Sequence, residues 1–216
     1  MEGKKRIFWD AFLLTLVVFL AGLFLGISFE SSKVAQINEY YANSEIFLMD
    51  ILALNNMIGL EKNCNLLADA NLKMADKVYE EALLLEKYSD SEKLAQAMDL
   101  AHKRYDLLRT FLWIDSVNIK NKCNSNFSTV VYIYEYKTKD LVKKATQNVW
   151  SKILYELKQN KGDKIVLIPI AGNNDIESLE SLKKKFEISN LPVVIINEKN
   201  LITKLESVGE LERYFE

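Results

Sequence analysis

The sequence predicts an α/β protein in which an α/β sandwich at the C-terminus is preceded by an N-terminal transmembrane helix and an α-helical hairpin region. Three observations lead to this prediction. A long apolar run lies near the N-terminus, apolar residues then recur at helical spacing up to about residue 119, and β-branched runs alternate with helical patterns beyond residue 123. We therefore divide the chain into a cytoplasmic N-terminus with its anchor (1–29), a helical region (30–123) and an α/β domain (124–216).

Composition and charge exclude several classes of protein. The 216 residues carry a formal net charge of −2, with 28 basic and 30 acidic side chains. This balance provides no basic surface for nucleic acid. The single histidine, His102, has no cysteine or second histidine near it in the sequence, so we predict no metal site and no cofactor.

The apolar run at residues 11–29, AFLLTLVVFLAGLFLGISF, contains only two polar side chains, Thr15 and Ser28. At about 1.5 Å per residue it is roughly 28 Å long, which matches the hydrocarbon core of a bilayer. Three basic residues precede the run and Glu30 follows it. The positive-inside rule therefore predicts a single-pass protein of the cell membrane, with its N-terminus in the cytoplasm and residues 30–216 outside.

Two features of this run leave alternatives open. Gly26-Ile27-Ser28 is an acceptable cleavage site, so a cleaved signal peptide is the alternative to a retained anchor, although the run is longer than the roughly 7–15 residues of a signal core. Gly22 and Gly26 form a GxxxG pattern, through which two membrane helices can pack closely. We favour the retained anchor and note that it would allow a homodimer.

The helical region is predicted to contain three helices, the first of which (about 32–57) continues outward from the anchor. The polar segment KYSDSE (87–92) separates the other two and supplies capping residues, so they should fold back as an antiparallel hairpin. Packing against neighbouring elements accounts for their apolar stripes, and a partner-binding coiled coil is the alternative. The stripes comprise Leu67, Ala70, Met74, Val78, Ala82 and Leu85, then Leu94, Met98, Ala101, Tyr105, Leu108 and Leu112.

The two cysteines, Cys64 and Cys123, are placed to meet across this hairpin. With the turn near residue 90, each lies about 40 Å from the turn and on the same side of it, at about 1.5 Å per residue. Outside the cytoplasm such a pair is expected to form a disulfide. One alternative is a redox pair that acts on substrates, but the pair lacks the short Cys-x-x-Cys spacing and an adjacent base. The other is two free thiols.

Strands and helices alternate beyond Cys123. Strands are predicted over 128–136, 162–172, 191–200 and 201–207, and helices over 139–158, 175–187 and 208–215, with Ser207 as the cap of the last. The order β-α-β-α-β-β-α predicts an α/β sandwich with a mixed sheet. The predicted inward faces of the first two helices comprise Val142, Ala145, Val149, Ile153 and Leu157, then Leu179, Leu182 and Phe186.

This order resembles the thioredoxin fold, and the most specific segment is FEISNLPVVIINEKNLITKLESVGELERYF. The whole layout is similar to that of membrane-tethered thioredoxin-like proteins of archaea. The resemblance implies a cis Leu191–Pro192 peptide bond and places the family's redox motif at about residues 137–140. Those positions hold Lys137, Thr138, Lys139 and Asp140, which cannot form a disulfide. The resemblance therefore implies a scaffold that has lost its redox couple.

The resemblance also implies a groove that takes an extended peptide, bounded by Leu191, Pro192 and the 137–140 turn. Members of the family pair such a peptide with the backbone of the residue before the proline, and this binding needs no cysteine. We predict a membrane-anchored extracytoplasmic module that binds or scaffolds envelope proteins and has no catalytic residue. The alternatives are a thiol-disulfide oxidoreductase or relay that uses Cys64 and Cys123, and a purely structural stalk.

Overall fold

The computed structural model of the chain describes residues 2–60, 63–86, 95–123 and 126–215. The chain divides into two compact units, Met1–Ile46 and Phe47–Glu216. The helices are α1 (Glu2–Leu60), α2 (Cys64–Glu86), α3 (Ala95–Cys123), α4 (Leu141–Lys161), α5 (Glu177–Lys185) and α6 (Val208–Leu211). The strands are β1 (Ser128–Tyr134), β2 (Ile165–Ala171), β3 (Val193–Ile196) and β4 (Asn200–Ile202).

The first unit belongs to α1, and its segment Trp9–Phe29 is long and apolar enough to span a membrane. No part of this segment is buried within the chain. A Cβ atom placed on Gly22 or Gly26 would meet no other described atom within 4 Å, so the GxxxG surface is open. A signal sequence near the N-terminus meets the same criteria of minimum length and apolar composition, so these criteria do not separate a retained anchor from a cleaved signal.

A mixed four-stranded sheet with the order β2-β1-β3-β4 forms the centre of the second unit. β1 pairs with β2 in parallel and with β3 in antiparallel orientation, and β3 pairs with β4 in antiparallel orientation. All four residues of β3 are buried, as expected for an inner strand that is covered on both faces. The β3–β4 turn has Asn197 and Glu198 at positive φ angles of 54° and 57°, the geometry of a tight hairpin turn.

The helices α4 and α6 cover one face of the sheet through a cluster that includes Trp150, Leu154 and Leu211. Asp140 caps α4 by accepting hydrogen bonds from the backbone N–H groups of Val142 (2.9 Å) and Lys143 (3.1 Å). The predicted cap of the last helix is confirmed, because Ser207 forms a capping box at the start of α6.

The predicted inward face of α4 is wrong in its first half. Val142 and Val149 are 77% and 44% exposed, and Ala145 is exposed as well, whereas Leu157 is buried as predicted. The first turns of α4 lie beside the loop after β1 instead of over the strands, and the side chains that face the chain there are polar. Gln147 is one of them, and its amide binds the backbone of Glu135.

The helices α2 and α3 pack on the sheet, where α3 lies against β1, β2 and α5. Cys64 is bonded to Cys123, and Asn71, seven residues later on α2, accepts a hydrogen bond from Ser116, seven residues earlier on α3, at 2.9 Å, so the two helices run antiparallel as predicted. The predicted turn (87–92) lies outside the described residues. The stripe of α3 is confirmed within those residues by the burial of Met98, Ala101, Tyr105, Leu108 and Leu112.

Candidate functional site

The residues that the sequence singled out lie at the end of the sheet where β1 and β2 finish and β3 begins. The last residue pair between β1 and β3 is Ile133 with Val193, so Pro192 comes next, opposite Tyr134. The peptide bond between Leu191 and Pro192 is cis, and the sequence-based prediction is confirmed on this point. Leu191 and Pro192 therefore lie at the end of β1 from which the chain continues into the loop that contains 137–140.

Gly172 explains how Leu191 fits against this end of the sheet. A Cβ atom at Gly172 would lie 2.5 Å from Cγ2 of Ile133 and 2.9 Å from Cδ1 of Leu191, closer than real contacts allow. The side chain of Leu191 thus packs where only glycine leaves room. Lys183 of α5 fixes the backbone of Gly172 by donating a hydrogen bond to its carbonyl oxygen at 2.8 Å.

Two side-chain amides fix the loop after β1. Gln147 on α4 accepts a hydrogen bond from the N–H of Glu135 at 2.8 Å and donates one to its carbonyl oxygen at 3.1 Å. Asn173 makes the same pair of bonds with the backbone of Tyr136, at 2.8 and 2.9 Å. Each side-chain amide pairs with the N–H and the carbonyl oxygen of one loop residue, as the backbone of a neighbouring strand would. The loop is therefore ordered in the absence of a ligand.

The four residues at 137–140 have different roles in this loop. Lys137 has a positive φ of 52°, and its ammonium group pairs with Asp99 of α3. Thr138 accepts a hydrogen bond from the N–H of Asp140 at 3.4 Å, and the Asp140 carboxylate caps α4. Lys139 is exposed and makes no hydrogen bond or ion pair with any residue in the part of the chain that the structure describes. Of the two lysines, Lys139 is therefore the one whose charge has no partner among the described residues.

Sequence reasoning missed the contribution of α3 to this site. The ring of His102 stacks on that of Tyr136, with the centroids 3.9 Å apart. Asp106 accepts a hydrogen bond from the N–H of Ala171 at 3.0 Å and also contacts His102 Nδ1 at 3.4 Å. The signal was present in the sequence, because Asp99, His102 and Asp106 are spaced by three and four residues and so share one face of a helix.

A buried polar cluster lies behind the loops. The guanidinium group of Arg109 lies over the ring of Tyr105 at 4.0 Å and has one nitrogen 3.5 Å from the Asp106 carboxylate. Burial raises the pKa of Tyr134, the last residue of β1, to about 12, although the nearby Arg109 opposes this change. The tyrosine hydroxyl is therefore neutral at physiological pH, and the cluster joins α3 to the sheet.

The site offers little for covalent chemistry. No thiol is present at 137–140, and the hydrogen bond to Asp99 raises the pKa of Lys137, whereas a nucleophilic lysine needs a lowered one. Among the described residues, no group of three or more His, Cys, Asp or Glu side chains is placed to hold a metal ion. The arrangement is suited to holding a ligand by shape and hydrogen bonds.

The cysteines lie at the opposite end of the sheet. Cys64 and Cys123 form the predicted disulfide, with Cα atoms 5.3 Å apart. They line a cavity with Phe127, which directly precedes β1, and with Lys164, which directly precedes β2. β1 has seven residues and is about 20 Å long, so the disulfide does not face Leu191 or Pro192.

Comparisons with known proteins do not identify the chain. No protein-family model matches the sequence, and no curated protein matches it. A solved structure described as "Structure of a malarial protein" is similar over 41% of this chain and 93% of its own, with 22% identity and a TM-score of 0.32. A TM-score at that level carries no argument.

Proposed function

We propose that this protein is a membrane-anchored, extracytoplasmic module whose redox-inactive thioredoxin-like domain binds an extended segment of a partner protein beside Leu191 and Pro192. Three features support the thioredoxin-like part of the proposal: the order of elements, the mixed sheet, and the position of Pro192 directly before β3. The loss of the redox motif at 137–140 makes binding, and not thiol exchange, the role of this end of the sheet.

The observation that carries the proposal is the position of the Leu191 backbone. The ladder between β3 and β1 begins at Val193, and the ladder between β3 and β4 begins at Val194. Leu191 is therefore outside both ladders, at an end of the sheet that Gln147 and Asn173 keep ordered. An extended peptide can pair with backbone groups at such a position, which is the strand-addition mode of recognition.

The surface next to this position is apolar. Leu141 and Val142, in the first turn of α4, are 80% and 77% exposed and follow the 137–140 loop directly. We infer that these two exposed apolar side chains form part of the contact surface for the partner. Lys139 stands beside them with its charge unpaired among the described residues. The chemistry fits a segment that carries apolar side chains next to an acidic one.

This proposal is tested by selecting ligands for the purified full-length chain in detergent micelles from a displayed library of random decapeptides. We expect enrichment of peptides that combine apolar and acidic residues, and we expect synthetic copies to bind with micromolar affinity in fluorescence anisotropy. Leu191→Asp should reduce their affinity at least about tenfold, because a charge in place of the side chain that packs beside Gly172 would displace the backbone with which the peptide pairs. Lys139→Glu should reduce it about two- to fivefold, as for an exposed ion pair.

Lys152→Glu is the matched control for Lys139→Glu, because Lys152 is an exposed lysine of α4 away from the loop. It should leave the affinity unchanged. Circular dichroism of each variant would show that the fold is retained. A library that yields no enriched sequence, or ligands that bind the Leu191→Asp variant as well as the parent, would exclude the groove as a peptide site.

The anchor completes the proposal. A retained helix at Trp9–Phe29, together with the basic residues before it, would hold the second unit outside the cell. A relay that passes electrons from the groove to the cysteines is not favoured, because the full length of β1 separates the two. We therefore propose binding at one end of the sheet and, independently, a covalently closed pair of helices at the other.

A further inference from the structure

We propose that the Cys64–Cys123 disulfide is a site of thiol exchange for a low-molecular-weight thiol, and that the incoming thiolate attacks Cys123. The site is distinct from the proposed peptide groove and does not depend on it. Three observations carry the inference: the disulfide is partly exposed, it lines an open cavity, and its two sulfur atoms belong to opposite ends of two helices.

The cavity gives a thiol access to the disulfide. Both cysteines are partly exposed, and they line a cavity of about 520 Å³ together with Ala68 and Leu72 of α2. Sites of roughly 300–1,000 Å³ are typical for small molecules. The cavity walls also include Lys164, which is exposed, while Lys161 pairs with Glu212 at 3.0 Å. The size fits a small thiol.

The helices make the two sulfur atoms unequal as leaving groups. Cys64 is the first residue of α2, where the unpaired N–H groups of the helix favour a negative charge. Asn63 caps this end by accepting a hydrogen bond from the N–H of Leu66 at 3.3 Å, so Cys64 lies within the capped first turn of the helix. Cys123 is the last residue of α3, where unpaired carbonyl groups disfavour a negative charge.

Two lysines near Cys123 do not remove this difference. Lys120 is three residues earlier on α3, but its ammonium group donates a hydrogen bond to the side chain of Asn197. Lys122 is the adjacent residue, and adjacent side chains on a helix do not face each other. Cys64 is therefore the better thiolate and the better leaving group.

The reaction consists of two successive thiol-disulfide exchanges. A thiolate from a low-molecular-weight thiol attacks Sγ of Cys123 and forms a new S–S bond, while the Cys64–Cys123 bond breaks. Sγ of Cys64 leaves with the electron pair and takes a proton from solvent. A second molecule of the thiol then attacks the sulfur atom that the first molecule contributed to the mixed disulfide. This attack releases Cys123, which takes up a proton, and yields the small disulfide as the oxidised product.

The experiment uses the full chain in detergent micelles with reduced glutathione as the probe. Samples are quenched in acid at early times, their free thiols are blocked with N-ethylmaleimide, and the modified peptides are quantified by mass spectrometry. We expect the glutathione adduct on Cys123 to exceed that on Cys64 by roughly three- to tenfold. An equal distribution, or an excess on Cys64, would overturn the assignment of the attacked sulfur.

The rate law tests access through the native cavity. For an accessible disulfide, the rate of adduct formation increases in proportion to the glutathione concentration. A disulfide that reacts only in the unfolded chain would instead have a second-order rate that rises with low urea concentrations in proportion to the unfolding equilibrium constant, and that result would overturn the proposal. If glutathione fails to react while a purified dithiol oxidoreductase reduces the pair rapidly, the site takes a protein thiol, and the assignment to a small thiol is wrong.

A pair of variants tests whether glutathione reaches the disulfide through the cavity. Ala68→Phe fills the cavity, so the second-order rate with glutathione should fall at least about tenfold. Ala145→Phe is the matched control, because Ala145 is exposed on α4 and does not line this cavity. It should react at the parental rate. An unchanged rate in a folded Ala68→Phe variant would contradict access through the cavity.

Discussion

The carboxyl group of Asp115 provides a quantitative test of how α3 is packed. Its side chain is fully buried, and neither carboxylate oxygen has a hydrogen-bond partner within the described ranges of the chain. Burial raises the pKa of Asp115 from 3.8 to about 7. The perturbation is Asp115→Asn, which keeps the shape of the side chain and removes its charge.

The sign of the effect follows from proton binding. Below pH 3.8 the carboxyl group is protonated in both the folded and the unfolded chain, so the contribution of its neutral form to stability is fully present. Between the two pKa values the folded chain keeps a proton that the unfolded chain has released, and stability falls as pH rises. Above about pH 7 the loss is complete. A shift of about three pKa units corresponds to about 4 kcal/mol.

The assay is urea unfolding of the full chain in detergent micelles from pH 4.5 to 8.5, followed by the fluorescence of the buried Trp113 and Trp150. Subtraction of the parental free energy of unfolding from that of Asp115→Asn cancels every other titrating group. This difference should increase with pH by about 2–4 kcal/mol and then level off near pH 8. Asp69→Asn, at an exposed position of α2, should show a flat difference. Parallel pH profiles for the parent and Asp115→Asn would contradict a raised pKa for Asp115.

Three further predictions concern the candidate groove and the anchor. Gly172→Ala should lower the free energy of unfolding by about 1–3 kcal/mol in urea titrations and weaken the selected peptides, because its Cβ atom would displace Leu191; unchanged stability would mean that the contact relaxes. Gln147→Leu should cost about 1–3 kcal/mol and accelerate hydrogen exchange at the amide of Glu135, whose partner is removed; unaltered exchange there would contradict the role of the side-chain amide. An epitope at the C-terminus should be digested by protease added to intact cells, and its protection would reverse the proposed orientation.

Much of the second unit is predictable because its periodic patterns coincide with its contacts. The apolar stripe of α3 and the burial of the β-branched strands follow from local sequence and side-chain chemistry. The disulfide was predictable from the helix lengths together with the expected extracytoplasmic location, since the two cysteines are equally far from the turn and are expected to oxidise there. The cis bond before β3 came from the resemblance and not from any periodicity.

The sequence-based predictions are wrong or incomplete where polar contacts between distant residues determine which side chains face inward. The apolar spacing of Val142 and Val149 predicted an inward face, but the inward positions there belong to Gln147 and Lys143, which bind Glu135. Lys137 was placed in the turn that bounds the groove, and the sequence did not indicate its ion pair with Asp99. Neither pairing is visible in a local pattern, because residues 8 to 38 positions apart must first be brought together by the fold.

The helix α3 connects the two proposed sites, and this has a consequence for how the protein can be divided. Near its start Asp99 and His102 contact the loop of the groove, and at its end Cys123 closes the disulfide. Removal of the helical region would leave the backbone N–H of Ala171 without the carboxylate of Asp106 and would expose the sheet face that α3 covers. A fragment that begins at residue 124 should therefore be unstable, because an unpaired buried N–H and an uncovered apolar face both disfavour folding. A purely structural stalk needs no such contacts, whereas a groove whose loops must be ordered before a peptide arrives needs a rigid element behind them.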